Sequence, residues 1–197
     1  MSSTAEPATP WDVSRAMHKA IRLALFRVTV LAGAADAGDD DSVDRLLGEW
    51  RDAAFVLRGH HGHEDEFWDP LITLHAPDLR DDLEAAHRLA DASLADLDRL
   101  AIKVAHGGAD RRDGLLQLFH LDLAAFTAVY LDHLRVEEDE VLPRLEARIG
   151  AELDALTVSI LGSVPPAELD VFLRYLIPSI NPAERHGLLS SLEVVLP

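Results

Sequence analysis

One pattern occurs twice in this chain without a gap: histidine, glutamate four residues later, and proline six residues after that. It lies in "HHGHEDEFWDP" as His60, Glu64 and Pro70, and in "HLRVEEDEVLP" as His133, Glu137 and Pro143. The acids between them also align, Asp65 with Glu138 and Glu66 with Asp139. Residues i and i+4 lie one above the other on a helix. Each repeat therefore presents an imidazole and a carboxylate in one direction. Two further histidines, His18 and His87, each fall inside an apolar helical pattern upstream of a repeat, 42 and 46 residues away. The order is His, then His-x3-Glu, then His, then His-x3-Glu, one group to a helix.

The spacing predicts those helices. The first runs from about Pro10 to Ala35, capped by Thr9, and ends in the loop "AGDDD". The second runs from about Ser42 to Trp68, capped by Asp41 or Ser42 and stopped by Pro70. The third spans about Asp78 to Ala105 and closes at Gly107-Gly108. The fourth starts near Arg111 with Leu118, Phe119, Phe126, Val129 and Tyr130 at helical spacing, is kinked or restarted by Pro143, and ends at Gly150. No segment alternates with period two for long. The expected fold is all-α: an up-down-up-down four-helix bundle with a C-terminal extension of short helices. Residues 1–9 are read as a disordered N-terminus, 10–150 as the bundle and 151–197 as the extension. Three pieces of the extension are punctuated by Pro165-Pro166, Pro178 and Pro182. Its apolar set Leu169, Phe172, Leu173, Leu176 and Ile177 must bury against the bundle or another subunit.

The apolar faces place the polar groups inside. Ala53 and Val56 precede His60, and Phe67 follows Glu64. Trp11, Ile21 and Leu25 share the face of His18. Phe126, Val129, Tyr130 and Val136 flank His133. Four imidazoles and two carboxylates in one core are very costly without a compensating partner. A metal is that partner. The chain has no cysteine, so the donors are nitrogen and oxygen, which suit iron, manganese or zinc and exclude thiolate sites. Zinc usually takes four ligands, fewer than the six groups offered. Two carboxylates shared between two sets of histidines make a dinuclear site.

Charge narrows the partners. The formal net charge is -17, which repels phosphate backbones and argues against nucleic acid. The start "MSSTAEPATP" has no secretory pattern. The most apolar uncharged run, "LALFRVTVLAGAA", is broken by Arg27 and too short to span a bilayer. A cytoplasmic protein without membrane attachment is expected.

With His18, "HHGHEDEFWDP", His87 and "HLRVEEDEVLP", the chain resembles the hemerythrin-like (HHE cation-binding) family over residues 10 to about 150. The resemblance implies a cofactor of two iron ions, oxo- or hydroxo-bridged, in a four-helix bundle. Its implied ligands are His18, His60, Glu64, His87, His133 and Glu137. Oxygen-carrying members have a second histidine four residues on in the third helix, where this chain has Asp91. They place the fourth-helix acid five after its histidine, which would select Glu138; the internal match to His60 and Glu64 favours Glu137. Asp91 is read as a solvated acid or a replacement ligand. Two octahedral irons offer about twelve positions. Four histidines, two bridging carboxylates and one bridging oxygen leave about two for water or substrate. That count favours hydrogen peroxide, dioxygen or nitric oxide chemistry, with catalase-like turnover as its concrete form. The alternative is a binding module that stores iron or senses iron, oxygen or nitric oxide, with the C-terminal helices relaying occupancy to a partner or a homo-oligomer interface.

Gly59 and Gly62 admit a close helix or a path for a small ligand, or Gly62 faces solvent. His61 and His63 point away from the face of His60, as surface residues, hydrogen-bond donors to ligands or weak metal catchers. Tyr130 packs in the core or bonds a bridging group. Glu84 orients His87 or makes an exposed salt bridge. Trp50 and Trp68 are core. His75, His106, His120 and His186 are structural or exposed. "HEDEF" fails as a zinc-protease motif because Phe67 replaces the second histidine.

Overall fold

The structure, a computed structural model, describes residues 12–195. Among them every regular element is helical. The expected disorder of residues 1–9, the cap at Thr9-Pro10 and the placement of Trp11 lie outside the described residues.

Helix α1 (Val13–Ala34) is capped by Asp12, whose Oδ1 accepts from the amides of Ser14 at 2.9 Å and Arg15 at 3.1 Å. A side-chain cap of this kind stabilises a helix start by about 1 kcal/mol. Helix α2 (Asp40–His63) is capped by Asp39, not by Asp41 or Ser42. The Ser42 hydroxyl instead accepts from the Asp36 amide at 3.1 Å and ties the loop down.

Pro70 does not stop the second helix. Helix α2 passes through a π turn at Glu64–Trp68 into α3 (Asp69–His75). The second repeat does the same: α5 (Ala109–Val136) passes through a π turn at Glu137–Val141 into α6 (Leu142–Ile149). In each turn an amide reaches the carbonyl five residues back, Asp69 to Glu64 and Leu142 to Glu137. Pro70 and Pro143 follow directly. A proline has no amide hydrogen and crowds the carbonyl four residues back. The wider turn ahead of each lets the helix continue past it. Between the two repeats, α4 (Pro77–His106) starts on a proline at its first position and ends at Gly107.

Helices α1, α2, α4 and α5 close a ring: α1 packs on α2, α2 on α4, α4 on α5 and α5 on α1. Ile21, Leu25, Leu46, Leu57, Leu94, Leu123 and Leu134 fill its interior. Trp50 and Trp68 are core, and the Trp50 indole donates to Asp98 Oδ1 at 2.9 Å. Two expected core residues are not: Val129 is 58% exposed and Leu118 53%. Apolar residues are spread round helix α5 without one dominant face, so spacing alone does not select its inward stripe. The continuous helix Asp110–Ile149 is long and apolar enough to cross a bilayer by length and composition, which the run read from the sequence was not. Here its α5 part packs on α1 and α4.

Helices α7 (Leu153–Ser163), α8 (Pro166–Ser179) and α9 (Pro182–Val195) form the extension, after a 3-10 turn at Gly150–Glu152. Helix α8 packs on α1 and α2. Phe172, Tyr175 and Leu176 are buried there, while Ile177, expected inside, is 46% exposed. The Tyr175 hydroxyl donates to Glu49 Oε1 at 2.9 Å, and the Arg27 guanidinium lies over its ring.

Candidate metal centre

The ring of helices brings all six sequence-derived candidates together. His18 comes from α1, His60 from α2, His87 from α4 and His133 from α5. Glu64 and Glu137 are the first residues of the two π turns. His18, His60, His133 and Glu137 are buried, with Glu64 and His87 nearly so.

Their tips converge. His60 Nε2 lies 3.3 Å from Glu64 Oε1, and His133 Nε2 lies 3.0 Å from Glu137 Oε1. His87 Nε2 lies 3.2 Å from Glu64 Oε2, and His18 Nε2 3.3 Å from Glu137 Oε2. These contacts are close but mostly misdirected. His60 Nε2, His87 Nε2, His133 Nε2, Glu64 Oε2 and Glu137 Oε2 are buried and make no hydrogen bond. Buried polar atoms rarely go unpaired. Lone pairs aimed at a common centre, not at each other, account for the arrangement. The donor atoms form two overlapping sets, each within 4.8 Å: His18, His60, Glu64 and Glu137, and Glu64, His87, His133 and Glu137. Both carboxylates belong to both sets. Imidazole nitrogens with shared carboxylates are a donor set that fits cation binding.

The charges resist this packing. Burial disfavours the cation at His18, but Glu137 and Glu138 overcome it and push the imidazole up to about 9. His87 is likewise raised against burial, to about 10, by Glu137 and Glu64. Burial and then the Glu137 charge push Glu64 up to about 7. Burial opposes the charge of Glu137, yet His133, His18 and His87 hold it well below the usual carboxylate range. His60 is driven well below the usual histidine range by burial and the positive His18. The carboxylates thus hold protons on neighbouring imidazoles where a cation would otherwise sit.

A second layer orients the rings. Glu138 does not join the cluster: its Oε1 lies 2.9 Å from His18 Nδ1, and it accepts two hydrogen bonds from Arg22 at 2.7 and 2.9 Å. Of the two acids the sequence offered on this helix, Glu137 joins the cluster and Glu138 lies behind His18. Glu84 pairs with Arg88 and not with His87. Asp65 Oδ1 stands 3.8 Å from His87 Nδ1.

His61 corrects the sequence reading. It is 4% exposed, not a surface residue. Its Nδ1 lies 3.0 Å from Asp91 Oδ1 and its Nε2 2.9 Å from the Tyr130 hydroxyl. Asp91 is therefore bound to an imidazole, though 61% of its side chain is exposed. Tyr130 is 1% exposed and bonds His61 in addition to packing. A position 100° round from His60 still faces the interior, because in a ring of helices two neighbours cover each one. Helical spacing alone reads only one of those faces. His63 is half-buried against Phe67 and Phe172.

Gly59 and Gly62 differ. A β-carbon at Gly59 would stand 2.5 Å from Phe172 Cζ of α8, whereas one at Gly62 would meet nothing within 4 Å. The close helix is thus the C-terminal extension, and Gly62 faces solvent. His106 and His186 are exposed; His75 is half-buried at the end of α3, and His120 lies against Gly33. A cavity of about 390 Å³ reaches His18, Glu64, His87 and Glu137. Its walls include Trp68, Ile72, Leu83, Val141 and Leu142, with Arg80 and Arg88 also lining it.

No curated protein and no solved structure matches the chain. The sequence does match the hemerythrin HHE cation binding domain over residues 9–145, a span that contains all six converging side chains. The chain belongs to the hemerythrin HHE cation-binding domain family.

Proposed function

We propose that this protein is a non-haem di-iron protein that reacts with or binds hydrogen peroxide, dioxygen or nitric oxide. The observation that carries the reading is the set of five buried, unpartnered nitrogen and oxygen atoms, in two groups that share both carboxylates. His18 and His60 would hold one ion, His87 and His133 the other, with Glu64 and Glu137 between them. The donor set offers no thiolate, and the many oxygen and nitrogen donors favour iron over structural zinc. An up-down-up-down course of α1, α2, α4 and α5 would deliver the four histidines to one level.

Two irons there would supply redox chemistry toward small oxidants. The chain's own residues do the rest. Glu138, held by Arg22, fixes the ring of His18 and raises its basicity. Trp68, Leu83, Val141 and Leu142 make an apolar wall that limits water. The cavity admits a small molecule to the Glu64 and His87 side. Catalase-like turnover of peroxide is the concrete form of the reading. The second reading, a cytoplasmic sensor or store without turnover, draws on the contact of Phe172 with Gly59, one residue from His60.

The test is metal content with the near-ultraviolet spectrum, for the wild type and His133→Ala. About two irons per chain with charge-transfer bands, reduced in the variant, are expected. One zinc, or no metal with an unchanged variant, would refute the reading. Steady peroxide consumption would separate enzyme from sensor; a ligand-dependent change of oligomeric state would favour the sensor.

A further inference from the structure

His61 lies beside the metal centre proposed above, and its role rests on that centre. Helical spacing points it away from the face of His60, yet the structure buries it among the candidate ligands. Its ring stacks on that of His87 with centroids 4.7 Å apart, and lies edge-on to that of His133 at 6.4 Å. One ring nitrogen from each of His61, His87 and His133 falls within 4.8 Å of the others, a group that includes neither carboxylate.

The hydrogen bonds define its tautomer. The Asp91 carboxylate accepts from Nδ1–H at 3.0 Å. Nε2 is then the lone-pair nitrogen, and it accepts from the Tyr130 hydroxyl at 2.9 Å. A carboxylate on one ring nitrogen and a lone pair on the other is the state in which histidine binds metal.

We propose that His61 is a third nitrogen donor to the metal position formed by His87 and His133, oriented by Asp91 and held in reserve by Tyr130. The nitrogen that accepts from Tyr130 is the one a metal would use, so Tyr130 competes with the ion. The two metal positions are unequal: one has His18 and His60, the other has His87, His133 and His61. His61 fills one of the two positions otherwise open, leaving the other for an incoming small ligand.

The experiment titrates cobalt(II) into metal-stripped full-length protein and reads visible absorption and dissociation constants for each ion. Wild type, His61→Gln, Asp91→Asn and Tyr130→Phe are compared, with helical content checked by circular dichroism. His61→Gln is expected to weaken one of the two ions by about tenfold or more and to change its cobalt band, and Asp91→Asn to weaken the same ion by about tenfold. Tyr130→Phe, which removes the competitor, is expected to bind that ion more tightly or equally. Two ions held by His61→Gln with unchanged constants and spectrum would overturn the role of His61 alone. Weakening by Tyr130→Phe equal to that of His61→Gln would overturn the competition and make the pair structural or the tyrosine a ligand. No uptake by the wild type would overturn the metal centre itself, and this inference with it.

Discussion

At position 59 a side chain has nowhere to go. A β-carbon there meets Phe172 Cζ at 2.5 Å, and Phe172 is 4% exposed, so its ring has little freedom to retreat. Gly59→Ala should therefore destabilise the protein by about 1–3 kcal/mol through overpacking, despite a helix-propensity gain of about 1 kcal/mol. Gly62→Ala meets open space and should stabilise by up to about 1 kcal/mol. Denaturant melts of both variants check the pair, and a stabilised Gly59→Ala would contradict the wedge. Neither outcome was legible in "GHHGH", because the occupant at Gly59 comes from a helix more than a hundred residues away. His18, His60, Glu64, His87, His133 and Glu137 were legible because repetition picks out a common face. His61 was not, since it has no counterpart in the second repeat, where Leu134 stands.

Helices were predicted where apolar period and turn residues agree, and those signals found all four long ones. The π turns escaped them. Proline after an apolar pattern reads as a stop, and only the backbone shows that a wider turn carries the helix onward. Each π turn holds one residue more than an α turn and begins at a proposed ligand, as π turns often do at functional sites. Deleting Glu66, an exposed residue inside the first turn, should let the segment close as α-helix. The expected result is retained helical content with loss of metal uptake. Retained uptake of both ions would mean that the turn does not aim Glu64.

For the molecule as a whole, protons and cations compete for one space. His18 at about 9 and His87 at about 10 lie above the ordinary unfolded value of about 6.5. The folded chain thus binds protons that the unfolded chain has lost. Their stabilising effect is fully present below about pH 6.5 and disappears as pH rises through the folded values. Metal-stripped protein should melt at a lower temperature at pH 10 than at pH 7, and a higher melting temperature at pH 10 would contradict the proton pairing. Metal uptake near pH 7.5 should release about two protons, measurable by binding in two buffers of different ionisation enthalpy. Chelation should lower stability by about 2.7 kcal/mol for each ion lost, relative to metal held at a hundred times its dissociation constant, read as a shift in the denaturation midpoint. The extension was legible as helices but not as to partner: Leu176 and Phe172 needed a surface, and only the packing of α8 on α1 and α2 supplies it.

An extra residue in a helical turn is also mechanical slack. An amide that bonds five residues back can change to four and pass the surplus to its neighbour, so such a turn shifts along a helix without unfolding it. Pro70 and Pro143 close one direction of travel, because neither has an amide hydrogen to take up the exchanged bond. The slack is confined to the side where Glu64 and Glu137 begin each turn. A carboxylate can then swing while the rest of its helix stays seated, and the give in this rigid bundle is concentrated at two oxygen donors.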